Sequence, residues 1–130
     1  LVNNPEWEVR HAVAMRGRDK DLDILVSDEV DDVRIAVALQ GRDYDLDILV
    51  HDENEWVREA VARHGRDKDL DILVHDEDPA VIKTVIHSGR GKDLIYILLN
   101  EYDDDIVLYA ALMFRRRFGK YTDAYMALFD

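Results

Sequence analysis

Apolar residues fall in short runs whose spacing recurs down the chain. Val9, Ala12 and Val13 return as Val33, Ala36 and Val37, then as Val57, Ala60 and Val61. An i, i+3, i+4 spacing marks one face of an α-helix. Each run ends at a glycine, Gly17, Gly41, Gly65 or Gly89, spaced 24 residues apart. Glycine is the residue that best tolerates the left-handed turn closing a helix. A polar corner follows, Arg-Asp-Lys or Arg-Asp-Tyr, and then Asp-Leu-Asp-Ile-Leu-Val with apolar positions at Leu46, Leu49 and Val50. This second segment alternates too briefly for a strand. At 1.5 Å of rise per residue, a unit of this length holds roughly ten residues of one helix and about seven of another. The second segment is therefore expected to be helical, either α or 3₁₀.

Helix starts are signalled by Asn4-Pro5 and Asp78-Pro79, a capping side chain followed by proline at a position where its missing N–H costs nothing. Asp52 and Glu55 have the spacing of a capping box, and Asp43 is placed to cap the second helix. Laying the units beneath one another gives boundaries near 4–27, 28–51, 52–75 and 76–99. Leu1-Val2-Asn3-Asn4 aligns with Leu25-Val26-Ser27-Asp28, so residues 1–3 read as the tail of a preceding unit. Beyond Asn100 the register slips. Ile106, Val107, Ala110 and Ala111 begin a longer helix, with Asp103-Asp104-Asp105 at its positive end and Arg115-Arg116-Arg117 at its negative end. Phe114, Phe118, Tyr121, Tyr125, Met126 and Phe129 follow. The last unit of a repeat array needs a different covering, so residues 102–130 are expected to form a C-terminal cap of two helices broken near Gly119. The fold expected is all-α: a single right-handed α-α superhelix, or solenoid, of 24-residue repeats.

Two ladders of charge run through these units. Arg10, Arg34 and Arg58 each have an aspartate 18 residues on, at Asp28, Asp52 and Asp76; in the fourth unit both members are lost together, as Ile82 and Asn100. Joint loss is what a bridging ion pair predicts. A spacing of six, Asp52 to Arg58, is the competing pairing, and one guanidinium fork could serve both. The second ladder, Arg18, Arg42, Arg66 and Arg90 beside Asp19, Asp43 and Asp67, reads as local ion pairing of small individual value.

The Asp-x₄-Val-Arg pattern (Asp28…Val33-Arg34, Asp52…Val57-Arg58) resembles the HEAT-type helical repeat. The period, with Val-Arg-x-x-Val-Ala and a trailing Leu-x-x-Leu/Val, is more similar still to the leucine-rich repeat variant family. That resemblance covers residues 1–101 and implies a right-handed stack of α-helix alternating with 3₁₀-helix. Gly-Arg-Asp stands here where the family often carries Asn-Pro, and the cysteine-bound iron–sulfur domain found beside some members has no counterpart.

Composition narrows the chemistry. The 130 residues carry 17 basic and 29 acidic side chains for a net charge of −12, and no cysteine. Thiolate metal sites, iron–sulfur clusters, disulfides and cysteine nucleophiles are excluded. The acidic balance repels phosphate backbones and anionic membranes. No apolar run reaches the roughly 18–20 residues that span a bilayer, no stretch reads as a signal peptide, and a reducing cytoplasm is the expected location. His51 and His75 would sit on adjacent rungs, too far apart for one ion, while His64 and His87 suit helix ends. No metal or cofactor is expected.

The acids that recur from unit to unit belong to ladders, and no catalytic constellation stands out. Gly17–Val26 and Gly65–Val74 are identical, so the repeated positions describe the frame. Recognition is expected where units differ, with Trp7, Trp56, Arg63, His64 and His87 as candidate partner-binding residues. The function expected is that of a non-enzymatic scaffold binding an unidentified protein or peptide. The chain is expected to be monomeric, with end-to-end association through the exposed N-terminal unit as the alternative. Alternative functions are a HEAT-like nucleic-acid or glycosylase-type module and an accessory or lyase-type role.

Overall fold

A computed structural model describes residues 1–100 and 102–119. Among these residues the chain is all-helical. Long helices alternate with short ones: α1 (Trp7–Arg16), α2 (Asp19–Leu25), α3 (Asp31–Gln40), α4 (Asp43–Leu49), α5 (Glu55–His64), α6 (Asp67–Leu73), α7 (Pro79–Ser88), α8 (Gly91–Leu99) and α9 (Asp104–Phe118). The short segments are α-helices of seven residues rather than 3₁₀ turns. Too short to be stable alone, they depend on packing.

The long helices pack in series, α1 on α3, α3 on α5, α5 on α7 and α7 on α9, while each short helix rests against the long helices before and after it. Small side chains make the long-helix contacts possible. Ala14, Ala38 and Ala62 are fully buried, at the point where bulkier residues would hold the helix axes apart. Leu22, Leu46, Leu70 and Leu94 fill the space beneath, with Leu25, Leu49, Leu73 and Ile97 beside them. Burying each such side chain stabilises the fold by about 1.5–3 kcal/mol before entropy is counted. One continuous core results.

Gly41 shows why the long helix must stop on glycine. Its φ is 76°, and its N–H donates to the Ala38 carbonyl at 3.0 Å. A Cβ there would meet Cε1 of His64 at 2.7 Å, because that imidazole of the next unit lies over the turn. The left-handed backbone disfavours any side chain here, and the exposed His64 ring would have to move aside to admit one.

The helix starts differ from expectation in three places. α1 begins at Trp7, not at Pro5, and Asn4 Oδ1 instead accepts from the Glu6 N–H at 2.9 Å. In the third unit the cap is Asn54, whose Oδ1 accepts from Trp56 N and Val57 N; Asp52 lies one link upstream and accepts from Asn54 N. Asn54 is the stronger cap because its single oxygen reaches two of the first free donors of the helix. Asp43 does not cap α4 but is its first helical residue. Asp78-Pro79 caps α7 as the spacing predicts, Asp78 Oδ1 accepting from Ala80 N at 2.9 Å. Tyr121, Tyr125, Met126, Phe129 and the second cap helix fall outside the described residues.

Candidate functional site

Three elements position the charges that join one unit to the next. At the entry to each long helix, Arg10, Arg34 and Arg58 reach 18 residues forward. Nε donates to the aspartate Oδ2 at 2.8 Å in all three pairs, Arg10–Asp28, Arg34–Asp52 and Arg58–Asp76. Nη2 donates to Oδ1 of the same carboxylates at 3.2, 3.1 and 3.3 Å. The residue six positions back is held too, but through its main chain: Nη1 of Arg34 donates to the Asp28 carbonyl at 2.8 Å, and Nη1 of Arg58 to the Asp52 carbonyl at 2.7 Å. One fork thus serves both spacings, carboxylate forward and carbonyl back. In the fourth unit the arginine position is the buried Ile82.

The corner arginines carry a deeper demand, and here the structure departs from the sequence reading. Their chief partner is not the adjacent aspartate but the one three residues on. Arg42, Arg66 and Arg90 each grip Asp45, Asp69 or Asp93 in bidentate fashion, with Nε–Oδ2 distances of 2.7, 2.7 and 2.6 Å and Nη2–Oδ1 distances of 2.9, 2.9 and 2.8 Å. These aspartates are 0%, 1% and 2% exposed. The same guanidinium then crosses to the preceding unit. Nη2 donates to Asp23, Asp47 or Asp71 at 2.7–2.8 Å, and Nη1 to the main-chain carbonyl of Asp19, Asp43 or Asp67 at 3.0–3.2 Å. The hydrogen bonds to Asp45, Asp69 and Asp93 are the main cause of raised arginine pKa values. Arg18 is exposed and, among the described residues, makes no ion pair.

A signal for this ladder was present in the sequence. Arg-x-x-Asp survives in every unit, including the fourth, where Asp-Lys has become Gly91-Lys92 and the other ladder is gone. Persistence through that decay separates Asp93 from its more variable neighbours.

The candidate recognition residues do not form one cluster. Trp56 and Arg63 come together around a hollow of about 200 Å³ that Ile35, Glu59 and Ala60 complete. Glu59 is buried. Arg63 Nε donates to Glu59 Oε2 at 2.7 Å and Nη2 to Oε1 at 2.6 Å, while the Thr84 hydroxyl lies 3.3 Å from Oε2. Arg63 Nη1 has no partner among the described residues. Trp7 sits two units away with its ring edge-on to His11 at 6.2 Å. His64 lies over Gly41, and His87 Nδ1 is 3.3 Å from the Tyr109 hydroxyl. Glu59 was missed by the sequence reading as a buried group, because its position elsewhere holds His11, Ile35 and Lys83.

Among the described residues no group of three or more His, Asp or Glu is placed to hold a metal ion, and no helix is long and apolar enough to cross a membrane. No family model matches the chain, and no curated protein matches it.

The two ladders differ in what removal of an arginine would leave behind. Arg66→Ala strands the buried Asp69 carboxylate and should cost about 3–5 kcal/mol. Arg34→Ala leaves Asp52 less deeply buried and should cost about 1–3 kcal/mol. Urea titration followed by far-UV circular dichroism ranks them, and equal or negligible losses would contradict the assignment. Acid should act on the same network. Burial alone would raise the Asp28 carboxyl, but the Arg10 hydrogen bond, the Val30 N–H and the nearby arginines outweigh it and hold it below the ordinary 3.8. Lys68 and Arg66 lower Asp47, and Lys92 and Arg90 lower Asp71. A carboxyl depressed in the folded state takes up its proton more readily in the unfolded one. Its stabilisation is complete above about pH 4 and is lost as pH falls through the lowered values. The urea midpoint is therefore expected to be lower at about pH 3 than at about pH 5; equal midpoints would show these pairs to be energetically silent.

Proposed function

We propose that this chain is a non-enzymatic helical-repeat scaffold that binds another protein or a peptide along the outer face of its long helices. The architecture behind the proposal is a right-handed solenoid of 24-residue units, near 4–27, 28–51, 52–75 and 76–99, with a C-terminal cap from residue 102. It is the architecture that the resemblance to leucine-rich repeat variant and HEAT-type proteins implies. Long helices beginning at Trp7, Asp31, Glu55 and Pro79 support it. So does the serial packing of those helices.

The observation that carries the function is the contrast between the ladders and the Trp56 hollow. The ladder arginines spend their donors on carboxylates and carbonyls of their own chain. Around Trp56 the surface is left open: the indole is 53% exposed beside Ile35, and Arg63 presents an unused Nη1 over a buried carboxylate. Met15 and Leu39 are exposed on the preceding long helices, and Leu108 and Leu112 on α9. An aromatic anchor next to a guanidinium held in place by its own carboxylate is the kind of site that dominates protein interfaces. A partner would place an apolar side chain between Ile35 and Trp56 and an acceptor oxygen on Arg63 Nη1. The absence of cysteine and the acidic surface agree with a cytoplasmic protein that works as a monomer.

The test is capture of partners by the full chain and by Trp56→Ala/Arg63→Ala. Loss of a tryptophan anchor is expected to weaken a captured partner by about thirtyfold, equivalent to ~2 kcal/mol. Because Arg63→Ala leaves the buried Glu59 without its arginine, the variant is expected to be less stable, and its far-UV spectrum is checked to show that it is folded under the binding conditions. Undiminished binding by the folded variant would place recognition on another face.

A further inference from the structure

The short helices carry an apolar stripe that the fold does not use. Ile24, Ile48 and Ile72 occupy the same place in α2, α4 and α6 and are 52%, 44% and 43% exposed, although the leucines either side of them are buried. Each isoleucine stands beside the exit of its short helix. There the chain turns through an exposed glutamate, Glu29, Glu53 or Glu77, into the next long helix.

Ile24 and Glu29 line one hollow, and Ile72 and Glu77 line another. In the first unit the hollow is about 570 Å³ and is lined by Ile24, Glu29, Asp28 and Arg10 among others; two units later an equivalent of about 330 Å³ is lined by Ile72, Glu77, Asp76 and Arg58, with His51 and His75 at its rim. The arginine at the bottom is already bound to its aspartate and to a main-chain carbonyl. The later hollow sets three carboxylates, Asp52, Asp76 and Glu77, against that one guanidinium. Each hollow therefore offers an aliphatic wall, an exposed glutamate, and net negative charge; of the three glutamates, Glu53 has an arginine within reach, Arg34 Nη2 at a loose 3.9 Å. A side chain with an apolar stem and a cationic head fits that chemistry. Lysine and arginine are the residues that have both.

Ile48 and Glu53 repeat the exposed pair in the unit between, so the spacing of the units specifies the chain that would carry such side chains. Stacked helices lie ~8–10 Å apart. A polyproline II strand advances about 3.1 Å per residue with three residues per turn, so every third side chain returns to the same face about 9 Å further on. We propose that the groove along the short helices binds an extended, basic peptide in polyproline II conformation with lysine or arginine at every third residue. Each stem lies on Ile24, Ile48 or Ile72 and each charged head on Glu29, Glu53 or Glu77. This surface is separate from the one around Trp56, and either can be lost while the other remains.

Fluorescence anisotropy at physiological salt with two labelled peptides of identical composition tests the proposal. One is four repeats of Arg-Pro-Pro; the other gathers the four arginines into a block. The in-register peptide is expected to bind about tenfold more tightly than the block. Glu29→Gln/Glu53→Gln/Glu77→Gln and, separately, Ile48→Ser/Ile72→Ser should each remove that preference, whereas Trp56→Ala/Arg63→Ala should keep it. The substituted glutamates and isoleucines are exposed, and circular dichroism is expected to show each variant folded, Trp56→Ala/Arg63→Ala included although it leaves Glu59 unpaired. Equal affinity for the two peptides would reduce the effect to unspecific charge attraction and overturn the proposal, as would absence of binding or an unaltered preference in the glutamine variant. A concentration-dependent dimer in sedimentation, abolished by Ile48→Ser/Ile72→Ser, would assign the stripe to a second copy of the chain and overturn it equally.

Discussion

A carboxylate taken out of water must be given a cation and hydrogen-bond donors in exchange, and Asp45, Asp69 and Asp93 make that demand at successive corners. The exchange is met by an arginine three residues earlier whose planar fork matches the carboxylate. Because the fork has donors left over, it also holds Asp23, Asp47 or Asp71 and a carbonyl of the unit before. Satisfying a local charge thereby fixes the position of the neighbouring unit. The other ladder, Arg10–Asp28, Arg34–Asp52 and Arg58–Asp76, does the same at the opposite end of α1, α3 and α5. Between the two, alanines and leucines set the distance at which adjacent helices pack. The buried ion pairs are better understood as devices for register than as a large net gain in stability.

Periodicity brought the helices into view from sequence alone. The valine spacing and the glycines mark the long helices because both signals are local and recur in step. The pairing of Arg34 with Asp52 was also legible, since its two members vanish together in the fourth unit. Other features depend on three-dimensional neighbours. Asp45 and Asp43 differ in sequence only through the fourth unit, where Asp93 keeps one and Gly91 replaces the other; the turn of α4 sends Asp45 into the core and leaves Asp43 in water. Glu59 is buried because Arg63 folds back over it and Thr84 of the next unit closes in, a combination found in one unit alone. Caps were misplaced by a residue or two at Asn4 and Asp52 because Asn, Asp and Pro crowd the same turn, and only geometry selects the oxygen that meets the free amides.

What recurs and what varies divide the surface into two kinds of site. The Trp56 hollow is built from residues peculiar to one unit, so its recognition would be specific to a single anchor. The isoleucine and glutamate edge is built from residues that repeat, and a repeated surface suits a repeated ligand. The opening observation thus acquires an exception: some repeated positions belong neither to core nor to ladder, and Ile24, Ile48 and Ile72 are exposed at every occurrence.

The central claim is that each corner arginine is required by the carboxylate it buries, and a double-mutant cycle on Arg66 and Asp69 tests it most directly. Arg66→Met, Asp69→Leu and the combined variant would be compared with the parent by urea unfolding. Since an apolar pair can replace a buried ion pair at little cost, the combined variant is expected to be more stable than Arg66→Met, with a coupling of about 2–3 kcal/mol. Single costs that merely add, within about 0.5 kcal/mol, would contradict the account.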